Sequence, residues 1–140
     1  IQDPPLTQIG REEAERLRPQ FSDVSPELIV SSPLRRATQT ALIGLSEKLS
    51  SPLAPPVMAH EDCREQFGVY VSDKRSSVSS LSYEFPTVNY DLMQDGEDNA
   101  WSSMARERLE GTSMRAESFL HWLRERPETV IVVSSHSAWL

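Results

Sequence analysis

Two stretches of this chain combine residue types that can grip an anion and work on it. In Ser31-Ser32-Pro33-Leu34-Arg35-Arg36-Ala37-Thr38-Gln39-Thr40, two arginines fall in the first turn of an expected helix. In Ser134-Ser135-His136-Ser137, an imidazole follows directly on a β-branched run. Cations at a helix start oppose the positive end of the macrodipole. A bound phosphate monoester reverses that sign, because it carries about −1.5 to −2 charges at pH 7 and takes two hydrogen bonds from one guanidinium while free helix amides supply more. Spacing alone leaves Arg35 and Arg36 evenly balanced between this role and that of solvated surface residues. His136, taken by itself, reads as a hydrogen-bonded structural histidine and gains weight only from its place at a strand tip. His60, beside Glu61 and Asp62, reads as a solvated loop residue, and neither it nor His121 is assigned a role.

Other chemistries find no template. The chain has no Gly-x-Ser-x-Gly elbow, no glycine-rich loop ending in Lys-Ser or Lys-Thr, and no histidines at metal-ligand spacing, so neither a metal nor a cofactor is expected. Cys63 lacks the arginine six residues on that a cysteine phosphatase needs, since position 69 is valine, and it reads as a half-buried thiol. A single cysteine excludes an internal disulfide and fits a reducing compartment, so a cytoplasmic location is expected. A net charge of −7 argues against nucleic acid as the partner. No apolar run approaches the ~20 residues that span a bilayer, and no basic-then-apolar leader opens the chain. The start at Ile1 and the stop just past a strand pattern both read as cut ends.

The elements that must position these residues follow from periodicity. Thr7 is the expected N-cap of a helix carrying Gly10, Ala14 and Leu17 and ended by Pro19. Leu28-Ile29-Val30 reads as a buried strand, and a helix from about Leu34 carries Thr38, Ala41, Leu42, Leu45 and Leu49 on one face as far as Ser50. Residues 52–99 lose periodicity and read as a loop-rich insertion near the site. Ala116, Phe119, Leu120 and Leu123 predict an amphipathic helix over about 113–126. The run Val130-Ile131-Val132-Val133 predicts a strand buried on both faces of a parallel sheet. Alternating strands and helices imply one α/β domain over residues 1–140, three-layered α/β/α with a mostly parallel central sheet. In such sheets ligands bind beyond the carboxyl ends of the strands, where both arginines and His136 lie.

Asp3-Pro4-Pro5-Leu6-Thr7-Gln8-Ile9-Gly10 and Ser32-Pro33-Leu34-Arg35-Arg36-Ala37-Thr38-Gln39-Thr40 resemble, in order, motifs of the histidine phosphatase superfamily, the phosphoglycerate mutase-like enzymes. Cys63-Arg64-Glu65-Gln66-Phe67-Gly68 resembles the segment of the family's catalytic acid, and Val132 to Leu140 resembles the strand that ends in its second histidine. The resemblance implies that Arg36 binds the transferred phosphoryl group, with Arg35 as its neighbour. It implies that Glu65 protonates the leaving oxygen and that His136 stabilises the phosphoryl oxygens. Ser137, where many relatives have glycine, would lie beside the phosphate.

The family opens on a strand ending in Arg-His-Gly, whose histidine becomes phosphorylated, and no such tripeptide occurs here. By the resemblance the domain is incomplete, the nucleophile is missing from these residues, and the fragment alone is expected to be inactive and prone to aggregate. Where mutases have Glu-Arg-x-Tyr-Gly to hold a carboxylated substrate, this chain has Glu65-Gln66-Phe67-Gly68, with Lys74 and Arg75 as the nearest substitutes. The expectation is accordingly a metal-independent hydrolase of small phosphomonoesters. A phosphoglycerate mutase and a non-catalytic phosphate-binding module are the alternatives.

Overall fold

Three short apolar runs, each pointing alternate side chains to opposite sides, divide the molecule into layers. The computed structural model describes all of residues 1–140. Its four strands are β1 (Leu28–Ser31), β2 (Val57–Ala59), β3 (Val88–Asn89) and β4 (Ile131–Ser134). They form one parallel sheet in the order β3-β2-β1-β4. The register sets Ile29 beside Val57 and Val132, and Val30 beside Met58 and Val133.

On one face Ile29, Val57, Ala59 and Val88 pack with Ala41 and Leu45 at α2 (Arg35–Gly44) and with Leu81 of α4 (Val78–Glu84). On the other, Leu28 and Val30 pack with Cys63 and with Phe119 of α5 (Leu109–Arg124). Fully burying an aliphatic side chain of this size stabilises by about 1.5–3 kcal/mol. These two clusters therefore fix the α/β/α sandwich.

The first helix, α1 (Gln8–Glu15), begins as its cap predicts, with Thr7 Oγ1 accepting from the Gly10 amide at 3.1 Å. The second helix is interrupted at Leu45 and resumes as the single turn α3 (Ser46–Leu49). Two expectations need correction. The β4 run is not buried on both faces: its residues are half-buried, because β4 is the outermost strand and one of its edges has no neighbour. In α5 the expected stripe is narrower, with Thr112 and Phe119 buried but Leu120 56% exposed, since this helix covers only the β1–β4 margin of the sheet.

Residues 52–99 are largely irregular, with two single 3-10 turns (Glu61–Cys63 and Val71–Asp73). They nevertheless supply two strands and α4, and Phe85, Tyr90 and Met93 join the larger cluster. No helix is long and apolar enough to cross a membrane.

Candidate active site

Because β1, β2 and β4 run parallel, their carboxyl ends open on the same edge of the sheet. Arg36 follows β1, Glu65 follows β2, and His136 follows β4. The β1 exit is tightly built. Ser31 to Leu34 are all buried, and the Ser32 amide donates to the Ser134 carbonyl at 2.9 Å, extending the β1–β4 pairing past the strand. His136 Nε2 then shares a 2.8 Å hydrogen bond with Ser32 Oγ. Burial, followed by the positive charges of Arg36, Arg64 and Arg115, pushes the His136 imidazolium down to about 3. At neutral pH the ring is uncharged and stands within the field of three guanidinium groups.

Arg36 and Arg35 diverge. The Arg36 fork donates to the Ser72 carbonyl at 2.9 Å and to Asp73 Oδ1 at 3.0 Å. Arg106 approaches the other Asp73 oxygen at 3.5 Å, while its Nε donates to Gln66 Oε1 at 3.0 Å. Arg35 instead pairs with Glu84 on α4 at 2.8 Å and donates to the Asp3 carbonyl at 3.4 Å, so it is not brought to His136. Asp3 resolves the puzzle of cations at a helix start. Its buried carboxylate accepts the Arg35 amide at 2.9 Å and the Ser76 amide at 2.8 Å, and so supplies the anion that the α2 terminus favours. Sequence reasoning missed that role, for which the only local signal was an acid just ahead of two prolines. Ser137 is exposed, and its hydroxyl makes no hydrogen bond within the protein.

Glu65 is half-buried, and one of its carboxyl oxygens accepts the Gln66 amide at 2.9 Å. The segment before it is bolted to the β4 tip by Ser135 Oγ, which donates to the Cys63 carbonyl at 2.7 Å, and to α5 by Arg115. Behind it lies a buried ion pair. Arg64 grips Asp98 through two nitrogens at 3.0 and 2.6 Å, and the Arg75 amide adds a third donor at 3.0 Å. Burial opposes the Asp98 charge, yet the Arg64 and Arg75 donors hold its carboxyl below the usual carboxylate range.

Cys63 is fully buried and donates to the His60 carbonyl, and burial pushes its thiol up to about 12, which makes it inert as a nucleophile. His60 is not a solvated loop residue. It accepts the Asp62 amide at 3.2 Å, and its ring packs 5.1 Å from Phe119 and 4.6 Å from Trp122.

This arrangement can surround a phosphoryl group with cationic and neutral donors and set a carboxyl group close by. Residues 1–140 match the profile of the histidine phosphatase superfamily (branch 1) along their whole length. The chain belongs to that superfamily. It is 33% identical over 165 residues to phosphoglycerate mutase-like protein 1 of Arabidopsis thaliana, covering 99% of this chain and 58% of that relative. It is 29% identical to another Arabidopsis phosphoglycerate mutase-like protein, covering 99% of this chain and 61% of that one. The chain thus spans about three fifths of the length of these relatives.

Among solved structures, the α-ribazole phosphatase of Shigella flexneri superposes with a TM-score of 0.62 at 24% identity, covering 94% of this chain and 61% of that one. A mycobacterial glucosyl-3-phosphoglycerate phosphatase does so with 0.61 at 21%, covering 99% and 68%. Both share the fold of this histidine phosphatase-like chain. Within that fold, Arg75 is not available to hold a carboxylated substrate. It is buried against Glu61 and donates to the Ser76 and Gly96 carbonyls. Lys74 stands over the Trp101 ring at 5.2 Å.

Proposed function

We propose that the protein to which this chain belongs hydrolyses small phosphomonoesters through a phosphohistidine. Arg36 and His136 bind the transferred phosphoryl oxygens, and Glu65 protonates the leaving oxygen. The observation that supports this reading is the buried His136 imidazole standing in the charge of Arg36, with the β2 exit segment that leads to Glu65 tied to the β4 tip through Ser135 Oγ and the Cys63 carbonyl. A dianion passing between oxygen and a nitrogen nucleophile needs cationic donors around it and an acid on the leaving side. The nucleophilic histidine lies on a strand outside residues 1–140 that pairs with the free edge of β4, whose apolar residues are otherwise left half-covered. The Arg36 guanidinium supplies positive charge and the neutral His136 ring a hydrogen-bonding partner, so hydrolysis proceeds without a metal, and chelators leave the rate unchanged. The reaction is cytoplasmic, in keeping with one buried thiol and no disulfide.

The names of the plant relatives favour phosphoglycerate mutase as the second reading. The engagement of Arg75 with Glu61 weighs against it. The test is the full-length protein carrying Glu65→Gln, assayed on an alkyl phosphate and on p-nitrophenyl phosphate. Loss of ~100 to 10,000-fold on the poor leaving group, with far less on the good one, is the expected result. Equal losses on both exclude the acid role. Phosphoglycerate isomerisation faster than ester hydrolysis would replace the hydrolase by the mutase.

A further inference from the structure

We infer that Arg115 is the positioning residue for Glu65, setting the acid at its working place through the backbone that carries it. This inference rests on the acid role proposed for Glu65. Asp62 and Cys63 close the single 3-10 turn Glu61–Cys63, Arg64 and Glu65 belong to no strand or helix, and no main-chain amide reaches the four carbonyls of 62–65. Each of the four accepts from a side chain. Arg115 NH1 donates to the Asp62 carbonyl at 2.9 Å and to the Arg64 carbonyl at 3.2 Å, and its NH2 reaches the Glu65 carbonyl at 3.5 Å. Ser135 Oγ holds the remaining one, that of Cys63, at 2.7 Å.

Arg115 is itself locked. Glu107 accepts its Nε at 2.7 Å and its NH2 at 2.6 Å, and Thr112, one turn earlier on α5, donates to the same carboxylate at 3.1 Å. The main chain of Glu107 also grips the residues that follow the acid, its amide donating to the Phe67 carbonyl at 2.8 Å and its carbonyl accepting Gln66 Nε2 at 2.7 Å. The Arg115 guanidinium lies 5.1 Å from the Phe67 ring centroid. Glu107 and Arg115 together therefore hold the chain on both sides of Glu65.

Only a planar fork with five donors can serve three carbonyls and a carboxylate at once, and lysine cannot replace it. The side chain of Arg115 has no donor left over for a substrate, which makes its effect on catalysis indirect. Misplacing a reacting group by about 1 Å costs on the order of a hundredfold in rate.

The experiment compares Arg115→Lys and Glu107→Gln with Glu65→Gln in the full-length protein, on an alkyl phosphate and on p-nitrophenyl phosphate. Expected for both positioning variants is a ten- to hundredfold fall in kcat on the alkyl ester, with little change on the nitrophenyl ester. Combining either with Glu65→Gln should add little further loss. If Arg115→Lys does not fold, Glu107→Gln decides alone. Equal losses on both substrates, or unchanged kcat on both, overturn the inference while a selective Glu65→Gln leaves the proposed acid standing. A Glu65→Gln variant without leaving-group selectivity removes both.

Discussion

His136 should make the protein sensitive to mild acid, and replacing it with glutamine should remove that sensitivity. Burial and the charges of Arg36, Arg64 and Arg115 hold the folded imidazole at about 3, against an ordinary value of 6.5 in the unfolded chain. The folded state therefore keeps this base unprotonated while the unfolded state takes up a proton. The associated stability is fully present above 6.5 and is lost progressively as the pH falls toward 3. Each unit of difference is worth ~1.4 kcal/mol, so moving from about pH 7.5 to about pH 5 should cost the wild type ~2 kcal/mol through this residue alone.

Urea unfolding of wild type and His136→Gln at the two pH values isolates the contribution. Other groups, including His60, whose value burial also lowers, are common to both proteins. Parallel stability curves for the two proteins, or an imidazole that titrates near its ordinary value in an NMR pH series, would refute the reasoning. An anion seated beside Arg36 offsets one of the charges that depress the ring. Phosphate or vanadate should accordingly raise the His136 value, and proton uptake on binding should be measurable below the ordinary histidine range.

Two substitutions outside the chemistry test the frame around it. Asp98→Ala leaves the Arg64 charge buried with only Glu61 at 3.1 Å for compensation, and urea unfolding should record a loss of ~3–5 kcal/mol. A loss under 1 kcal/mol would show that water reaches that pair. Gly68 has φ +93°, and an added Cβ would meet the Ala105 carbonyl at 2.1 Å, so Gly68→Ala should destabilise by at least ~1–3 kcal/mol and shift the 66–70 loop that follows the acid. A neutral result in thermal melts would place that loop away from residues 102–107.

The layered α/β plan was legible from local pattern alone, because a buried strand and an amphipathic helix each announce themselves within a few residues. Leu28-Ile29-Val30, the cap at Thr7 and the helix around Phe119 fall where periodicity puts them. The β-branched run of β4 is half-buried in residues 1–140, where β4 is the outermost strand, and the strand proposed to pair with its free edge would bury it as the pattern expects. Local pattern lost the β2 and β3 strands inside 52–99, which are too short to show a period.

The family resemblance was needed to nominate Arg36, Glu65 and His136 together, since residue type and spacing left the arginines even, read His136 by itself as structural and did not single out Glu65. Spacing alone left the two adjacent arginines even and the family resemblance favoured Arg36, but which of them turns toward the histidine is a matter of tertiary contacts. It was decided by Asp3 and Glu84 drawing Arg35 one way, and by Ser72 and Asp73 drawing Arg36 the other. The partners of the acid loop were equally hidden, since Arg115 and Ser135 reach it across separations of 50 and 72 residues. A charge or a hydrogen bond acts through space, so its partner is fixed only when the strands have closed the distance.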